Sequence, residues 1–184
     1  MSTEVWKEYE ENQISHSAAH YLMTIHELLE NQGYARVTDI AKRLNITRGS
    51  CSISLKALKK RGLVMEDPNK FLLLSDEGKR LAMIVEKNDE LLEVFFRDIL
   101  GVEAEQAEID ACKIEHLLSI EASIKLCNFI EFIQSDRAVA KNFRKELGSQ
   151  VTSCNHSVDS CPTCRDVCFF EQQLTIEPRK AGKA

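Results

Sequence analysis

The chain has 184 residues, 43% hydrophobic and 29% charged, with a net charge of −5, so it can bury one or two small cores and has the balance of an ordinary globular protein. No apolar run approaches a membrane span and the first residues carry no signal-peptide pattern, so the expectation is a cytoplasmic protein with no membrane partner. The acidic total argues against nucleic acid only until its distribution is read: residues 36–61 hold eight basic residues and one acid, whereas residues 84–121 hold eleven acids and three bases.

In chain order, residues 15–32 read as a helix, with Leu22, Ile25, Leu28 and Leu29 at helical spacing and Gly33 as its stop. Residues 38–44 form a short second helix capped by Thr38 or Asp39, and residues 45–49 a turn. Residues 50–61 form a third helix, with Ile53, Leu55 and Leu58 expected inside and Lys56, Lys59 and Lys60 outside. Residues 63–66 and 71–74 are strand-like around the turn Asp67-Pro68-Asn69-Lys70. A long helix runs from residue 75 to about residue 100, where Gly101 stops it, and residues 105–119 and 119–133 form two more. Residues 134–145 are a charged stretch, and residues 147–184 a tail with four of the seven cysteines and two of the three prolines.

Helix, short helix, turn, helix and hairpin make a winged helix-turn-helix, whose third helix would enter the major groove of double-stranded promoter DNA. Arg48, Ser50, Ser52 and Ser54 lie at its base-reading end, Arg36 and Thr47 join the DNA-binding set, and Lys56, Lys59 and Lys60 are placed to contact phosphates. A winged helix used only for protein contacts would leave the basic block unexplained. The expected fold class is mainly α, with a winged helix-turn-helix in residues 1–75, a helical metal-binding and dimerisation domain in residues 76–146 and a short cysteine-rich tail in residues 147–184.

Cys112, Glu115 and His116 are spaced i, i+3 and i+4, so on a helix they share a face. A thiolate, a carboxylate and an imidazole suit a first-row transition metal, and the soft donors favour Fe2+, with Zn2+, Co2+ and Ni2+ able to bind. The plain alternative makes Cys112 a core residue and its two neighbours surface residues. In the tail, Cys154, Cys161, Cys164 and Cys168 have the spacing of a structural zinc site or an iron–sulfur cluster, with redox thiols as a third possibility. Cys51 and Cys127 fall on apolar helix faces and are expected to pack. A metal-dependent enzyme with Glu115 as general base is the reading from another class, but no catalytic motif accompanies it.

The segments Tyr21-Leu22-Met23-Thr24-Ile25, Gly33-Tyr34-Ala35-Arg36-Val37-Thr38-Asp39-Ile40-Ala41, Gly62-Leu63-Val64, Gly78-Lys79-Arg80-Leu81-Ala82, Asp98-Ile99-Leu100-Gly101 and Cys112-Lys113-Ile114-Glu115-His116 together resemble the diphtheria toxin repressor family of iron- and manganese-dependent transcriptional repressors. The resemblance covers about residues 15–133. It implies a homodimeric repressor of metal-homeostasis genes, activated by Fe2+ (alternatively Mn2+) bound between the first helix and the dimerisation domain. It further implies a primary site of His20, Met23, Cys112, Glu115 and His116, and a second site of Asp89, Glu93 and Glu108, where Asp89 and Glu108 stand in place of the family's histidines. The tail is unlike the SH3-like domain of the iron repressors.

Overall fold

The computed structural model describes residues 14–149. Helix α1, His16–Gln32, begins where the Ser15 hydroxyl accepts the Ala18 amide, and ends where Gly33, at φ 78°, turns left-handed and donates its N–H to the Leu29 carbonyl. Helix α2, Val37–Arg43, and helix α3, Arg48–Lys60, follow, with the Thr47 hydroxyl accepting the Ser50 amide at 3.1 Å to cap α3. Strands β1, Val64–Glu66, and β2, Leu72–Leu74, pair antiparallel with Met65 opposite Leu73. Their turn closes because the Asp67 side chain accepts the Phe71 amide at 2.8 Å, and the Leu72 amide donates to the Ala35 carbonyl, tying the hairpin back to the α1–α2 connection.

Helix α4, Asp76–Val94, is capped by the Ser75 hydroxyl, which accepts the Gly78 amide. Its first half belongs to the winged-helix core: Ala82 and Val85 pack in one cluster with Leu22 and Ile25 of α1, Ile40 of α2, Leu55 of α3 and Leu72 of β2. The second half runs on into helix α5, Ala104–Ile114, and helix α6, Ile120–Gln134, which is followed by helix α7, Ala138–Ser149. The described residues up to Ala140 form one compact unit, and those from Lys141 belong to another.

Five features depart from the sequence expectation, the first being that Arg36 stands at the N-cap of α2 with no side-chain cap bond, so that Thr38 and Asp39 lie inside the helix they were expected to cap. Helix α4 stops at Val94 and is extended by a π-helical turn, Phe95–Ile99, instead of running on as α-helix to residue 100. Helix α5 stops at Ile114, five residues early, because the Glu115 carbonyl accepts the buried Asn88 side-chain amide at 2.8 Å instead of a helical N–H. Ile53 is 70% exposed, while Cys51, Leu55 and Leu58 form the buried face of α3; two residues on a helix turn about 200°, which sends position 53 outward from both 51 and 55. The charged stretch after residue 134 contributes α7. The packing expected of Cys51 is found: it is fully buried, with its thiol against the Val37 carbonyl at 3.6 Å, whereas Cys127 is only half-buried.

Candidate metal centre and DNA-reading face

The start of α1 meets the end of α5. His16, His20, Cys112 and Glu115 bring one donor atom each to a single point, all four within 4.8 Å of one another. Cys112 Sγ lies 3.3 Å from His20 Nε2, and Glu115 Oε1 lies 3.8 Å from the same nitrogen. The His16 and His20 rings meet edge to face with centroids 4.4 Å apart, and the His116 ring lies 5.3 Å from that of His16. Glu115 is 1% exposed, and its Oε1 and the buried His116 Nδ1 have no hydrogen-bond partner. Orphaned acceptors in a buried place are costly, and a coordinated cation would satisfy both carboxylate and imidazole.

The electrostatics point the same way. Burial, then the charge and hydrogen bond of Asp89, push the Glu115 carboxyl up to about 8. Asp89 is raised chiefly by burial and further by Glu93, Glu108 and Glu90, while its bond to Glu115 works in the opposite sense. Burial raises the Cys112 thiol, with Glu115, Asp89 and Glu108 adding to it. His20 and His116 are both lowered, first by burial and then by neighbouring histidines. Acids that resist ionisation beside imidazoles that resist protonation form a site short of positive charge and rich in neutral nitrogen donors. A divalent cation fits that donor set.

The other expected ligands fall as follows. Met23 is half-buried and packs against the hydrophobic core. Asp89 turns to Glu115, Glu93 is paired with Arg97, and Glu108 is exposed, so among the described residues no second donor cluster gathers around them. Cys154, Cys161, Cys164 and Cys168 lie outside the described residues. His16 was not among the sequence candidates, although its i, i+4 spacing to His20 on one helix was a usable signal. Asn88, 2% exposed, was missed as well: it accepts the Ser123 hydroxyl at 2.6 Å while donating to the Glu115 carbonyl, and so links α4 to both α5 and α6.

On the opposite side of α3, Arg48, Ser50 and Lys56 are exposed and Ser52 and Ser54 half-exposed. A cleft of about 540 Å³ between α3, the start of α2 and the hairpin is lined by Arg36, Thr38, Arg48, Ser52, Glu66 and Lys70. The Arg36 guanidinium lies over the Phe71 ring at 4.4 Å. Thr47 acts as helix cap. Lys59 is paired with Glu66, which also holds Lys70 at 3.0 Å, so Lys60 and Lys56 are freer to meet phosphates than Lys59 is. Leu117, Ile120 and Ile124 expose an aliphatic stripe at the start of α6. Among the described residues, no helix is long and apolar enough to cross a membrane.

Comparison with known proteins matches this arrangement. Residues 13–72 match the iron dependent repressor N-terminal DNA binding domain, and residues 75–144 the iron dependent repressor metal binding and dimerisation domain. The chain is 32% identical to the HTH-type transcriptional regulator MntR of Bacillus subtilis over 124 residues, which are 67% of this chain and 87% of that protein. It resembles the structure of the manganese regulator SloR with a TM-score of 0.56 and 27% identity, over 61% of this chain and 53% of that one. The fold is also that of T. acidophilum IdeR, at a TM-score of 0.51 and 24% identity, over 60% of this chain and 52% of that one. The chain belongs to the iron-dependent repressor family, metal-dependent transcriptional repressors that bind promoter DNA as homodimers and are not enzymes.

Proposed function

We propose that this chain is a cytoplasmic repressor of metal-homeostasis genes whose affinity for its operator is raised by Fe2+ held between α1 and the end of α5. The observation that carries the proposal is the donor cluster itself, with the buried, unpartnered Glu115 carboxylate oxygen beside the Cys112 thiol and the His20 imidazole. His20, Cys112 and Glu115 would hold the ion, with His116 next to them. A thiolate and imidazoles are softer donors than the oxygen sets that retain Mn2+, which favours Fe2+.

The residues explain how the site would act on DNA. His20 stands on α1, whose Leu22 and Ile25 are fully buried in the winged-helix core. Cys112 and Glu115 stand at the end of α5, and Asn88 and Ser123 connect that end to α6. A bound cation supplies the positive charge that the site lacks. Holding His20 against Cys112 and Glu115 fixes the reading head to the helices that carry the aliphatic stripe of Leu117, Ile120 and Ile124. Two heads fixed in this way across a dimer present their α3 helices at one spacing. Coupling of about 1–3 kcal/mol would alter DNA affinity by roughly 5- to 150-fold. In this reading residues 1–75 meet DNA, with Arg48, Ser50, Ser52 and Ser54 toward bases, and residues 76–146 hold the metal and dimerise.

Manganese is the second reading, favoured by the names of the similar proteins MntR and SloR. Fluorescence anisotropy with promoter DNA, in chelator and at buffered free Fe2+ or Mn2+ without oxygen, separates the two. Fe2+ should activate at the lower free concentration, and Cys112→Ala should remove the Fe2+ response with the fold intact. Activation by Mn2+ at an equal or lower concentration would transfer the assignment to manganese.

A further inference from the structure

We propose that Glu66 is a brake on sequence-independent DNA binding: it holds Lys59 of α3 and Lys70 of the hairpin turn to itself and keeps both from phosphates. The inference rests on the reading of α3 and the hairpin as the DNA-facing surface. It adds a residue that sets how much of the affinity comes from charge alone.

Glu66 ends β1, and its carboxylate serves two elements at once. Oε2 accepts from Lys59 Nζ, in the last turn of α3, and Oε1 pairs with Lys70 Nζ at 3.0 Å. The turn itself places Lys70 for this: its backbone is left-handed, at φ 67°, and its N–H donates to the Asp67 carbonyl at 3.0 Å. The bonds from Lys59 and then Lys70 hold the Glu66 carboxyl below the usual carboxylate range, so it is ionised at neutral pH. Exposed ion pairs of this kind add little to stability. The hairpin is already anchored by the buried Leu63, Val64 and Leu72 and by the bond from the Leu72 amide to the Ala35 carbonyl.

The place of these bridges gives them a consequence for binding. Glu66 lines the cleft between α3, the start of α2 and the hairpin together with Arg36, Arg48, Ser52 and Lys70, and it is the one acid among the described lining residues. A carboxylate there competes with phosphate for the same ammonium groups. Arg48, at the base-reading end of α3, takes no part in either bridge. The restrained groups are lysines, point charges that supply affinity without sequence choice, whereas the guanidinium fork suited to base edges is spared. Less charge-driven affinity makes occupancy of DNA depend more on base contacts and on the spacing of two reading heads.

The test uses the full chain in chelator, so that metal plays no part, and a duplex of unrelated sequence, with binding followed by fluorescence anisotropy across a salt series. The slope of log affinity against log salt steepens by about 0.9 for each phosphate neutralised, so Glu66→Gln, which frees two lysines, should steepen it by roughly 2 for each reading head and tighten binding at low salt. In a Lys59→Met/Lys70→Met background the same Glu66→Gln change should leave the slope nearly where it was. Lys56→Met, at an exposed position of α3, should flatten the slope by about 0.9. The proposal is overturned by a wild-type slope in Glu66→Gln, or by an equal steepening in the double-lysine background, which would make Glu66 act on phosphate without its lysines. It is also overturned by a lowered Tm with an unchanged slope, the mark of a purely structural residue. If Lys56→Met leaves the slope unaltered as well, this face does not meet DNA at all; if Lys56→Met flattens it and Glu66→Gln does not steepen it, the face stands and the brake is wrong.

Discussion

Asn88 offers the sharpest test of how the metal centre is tied to the dimerisation helices. Its side chain, 2% exposed, donates to the Glu115 carbonyl at 2.8 Å and accepts from Ser123 Oγ at 2.6 Å. Asn88→Ala removes both bonds, leaves the Glu115 carbonyl buried without a donor and opens a small cavity. An unpaired buried acceptor costs about 1–3 kcal/mol, and the cavity adds about 1 kcal/mol more, for an expected loss of about 2–4 kcal/mol. Ser123→Ala should cost only about 0.5–1 kcal/mol, because the Ser123 hydroxyl already has a second acceptor in the Ser119 carbonyl at 3.0 Å. In the Asn88→Ala background the second substitution should cost almost nothing, leaving a coupling of about 0.5–1 kcal/mol in a double-mutant cycle. Urea unfolding of the metal-free chain at one fixed concentration measures these terms. The functional consequence is separate: the Glu115 backbone is no longer held, so metal affinity, followed by the Cys112 thiolate band of the Co2+ form, should fall about 10- to 100-fold. Loss of stability with unchanged metal affinity would show that Asn88 supports the fold and has no part in positioning Glu115. Strictly additive substitutions would show that Asn88 and Ser123 do not act as one link.

Three further outcomes are expected. Gly78 sits where an added Cβ would fall 2.1 Å from the Leu63 carbonyl oxygen, a backbone atom that cannot swing aside, so Gly78→Ala should cost about 3 kcal/mol or more by overpacking and lower Tm by roughly 6–12 °C; a calorimetric Tm within a degree of wild type contradicts the contact. The pH dependence of the metal-free chain follows from the Glu115 carboxyl, pushed up to about 8, and from the raised Cys112 thiol. Both make the folded state hold more protons than the unfolded state above neutrality, where the lowered His20 and His116 are already uncharged, so stability is lost as pH rises from about 7 to about 9. A higher urea midpoint at about pH 9 than at about pH 7 would reverse the sign, and metal affinity should rise over the same interval, since the ligands must shed protons to bind. Ile53 is exposed on the outer face of α3, the helix proposed to enter the major groove, so Ile53→Ser should weaken specific operator binding by about 1 kcal/mol through loss of a thymine-methyl contact and leave binding to unrelated DNA unchanged; equal losses on both DNAs would refute a base contact.

What the sequence disclosed and what it concealed divide along the range of the interactions involved. The caps at Ser15, Thr47 and Ser75 and the Asp67–Lys70 turn are made by side chains reaching three or four residues along the chain, yet the third helix starts at Arg48, two residues before the expected start, because Thr47 caps it. The end of α5 has no such local signal: Glu115, His116, Leu117 and Leu118 contain no glycine or proline, and the apolar period runs on. The helix ends there because Asn88, 27 residues earlier, takes the Glu115 carbonyl. His16 on α1 joins His20, Cys112 and Glu115 in one group of donor atoms within 4.8 Å, a meeting of two helices far apart in sequence, and the His116 ring lies 5.3 Å from that of His16. The same reasoning accounts for Ile53, an apolar residue that periodicity alone assigned to the core. Its outward place follows from Cys51 taking the buried position against the Val37 carbonyl, a contact between two helices that the composition of α3 does not encode.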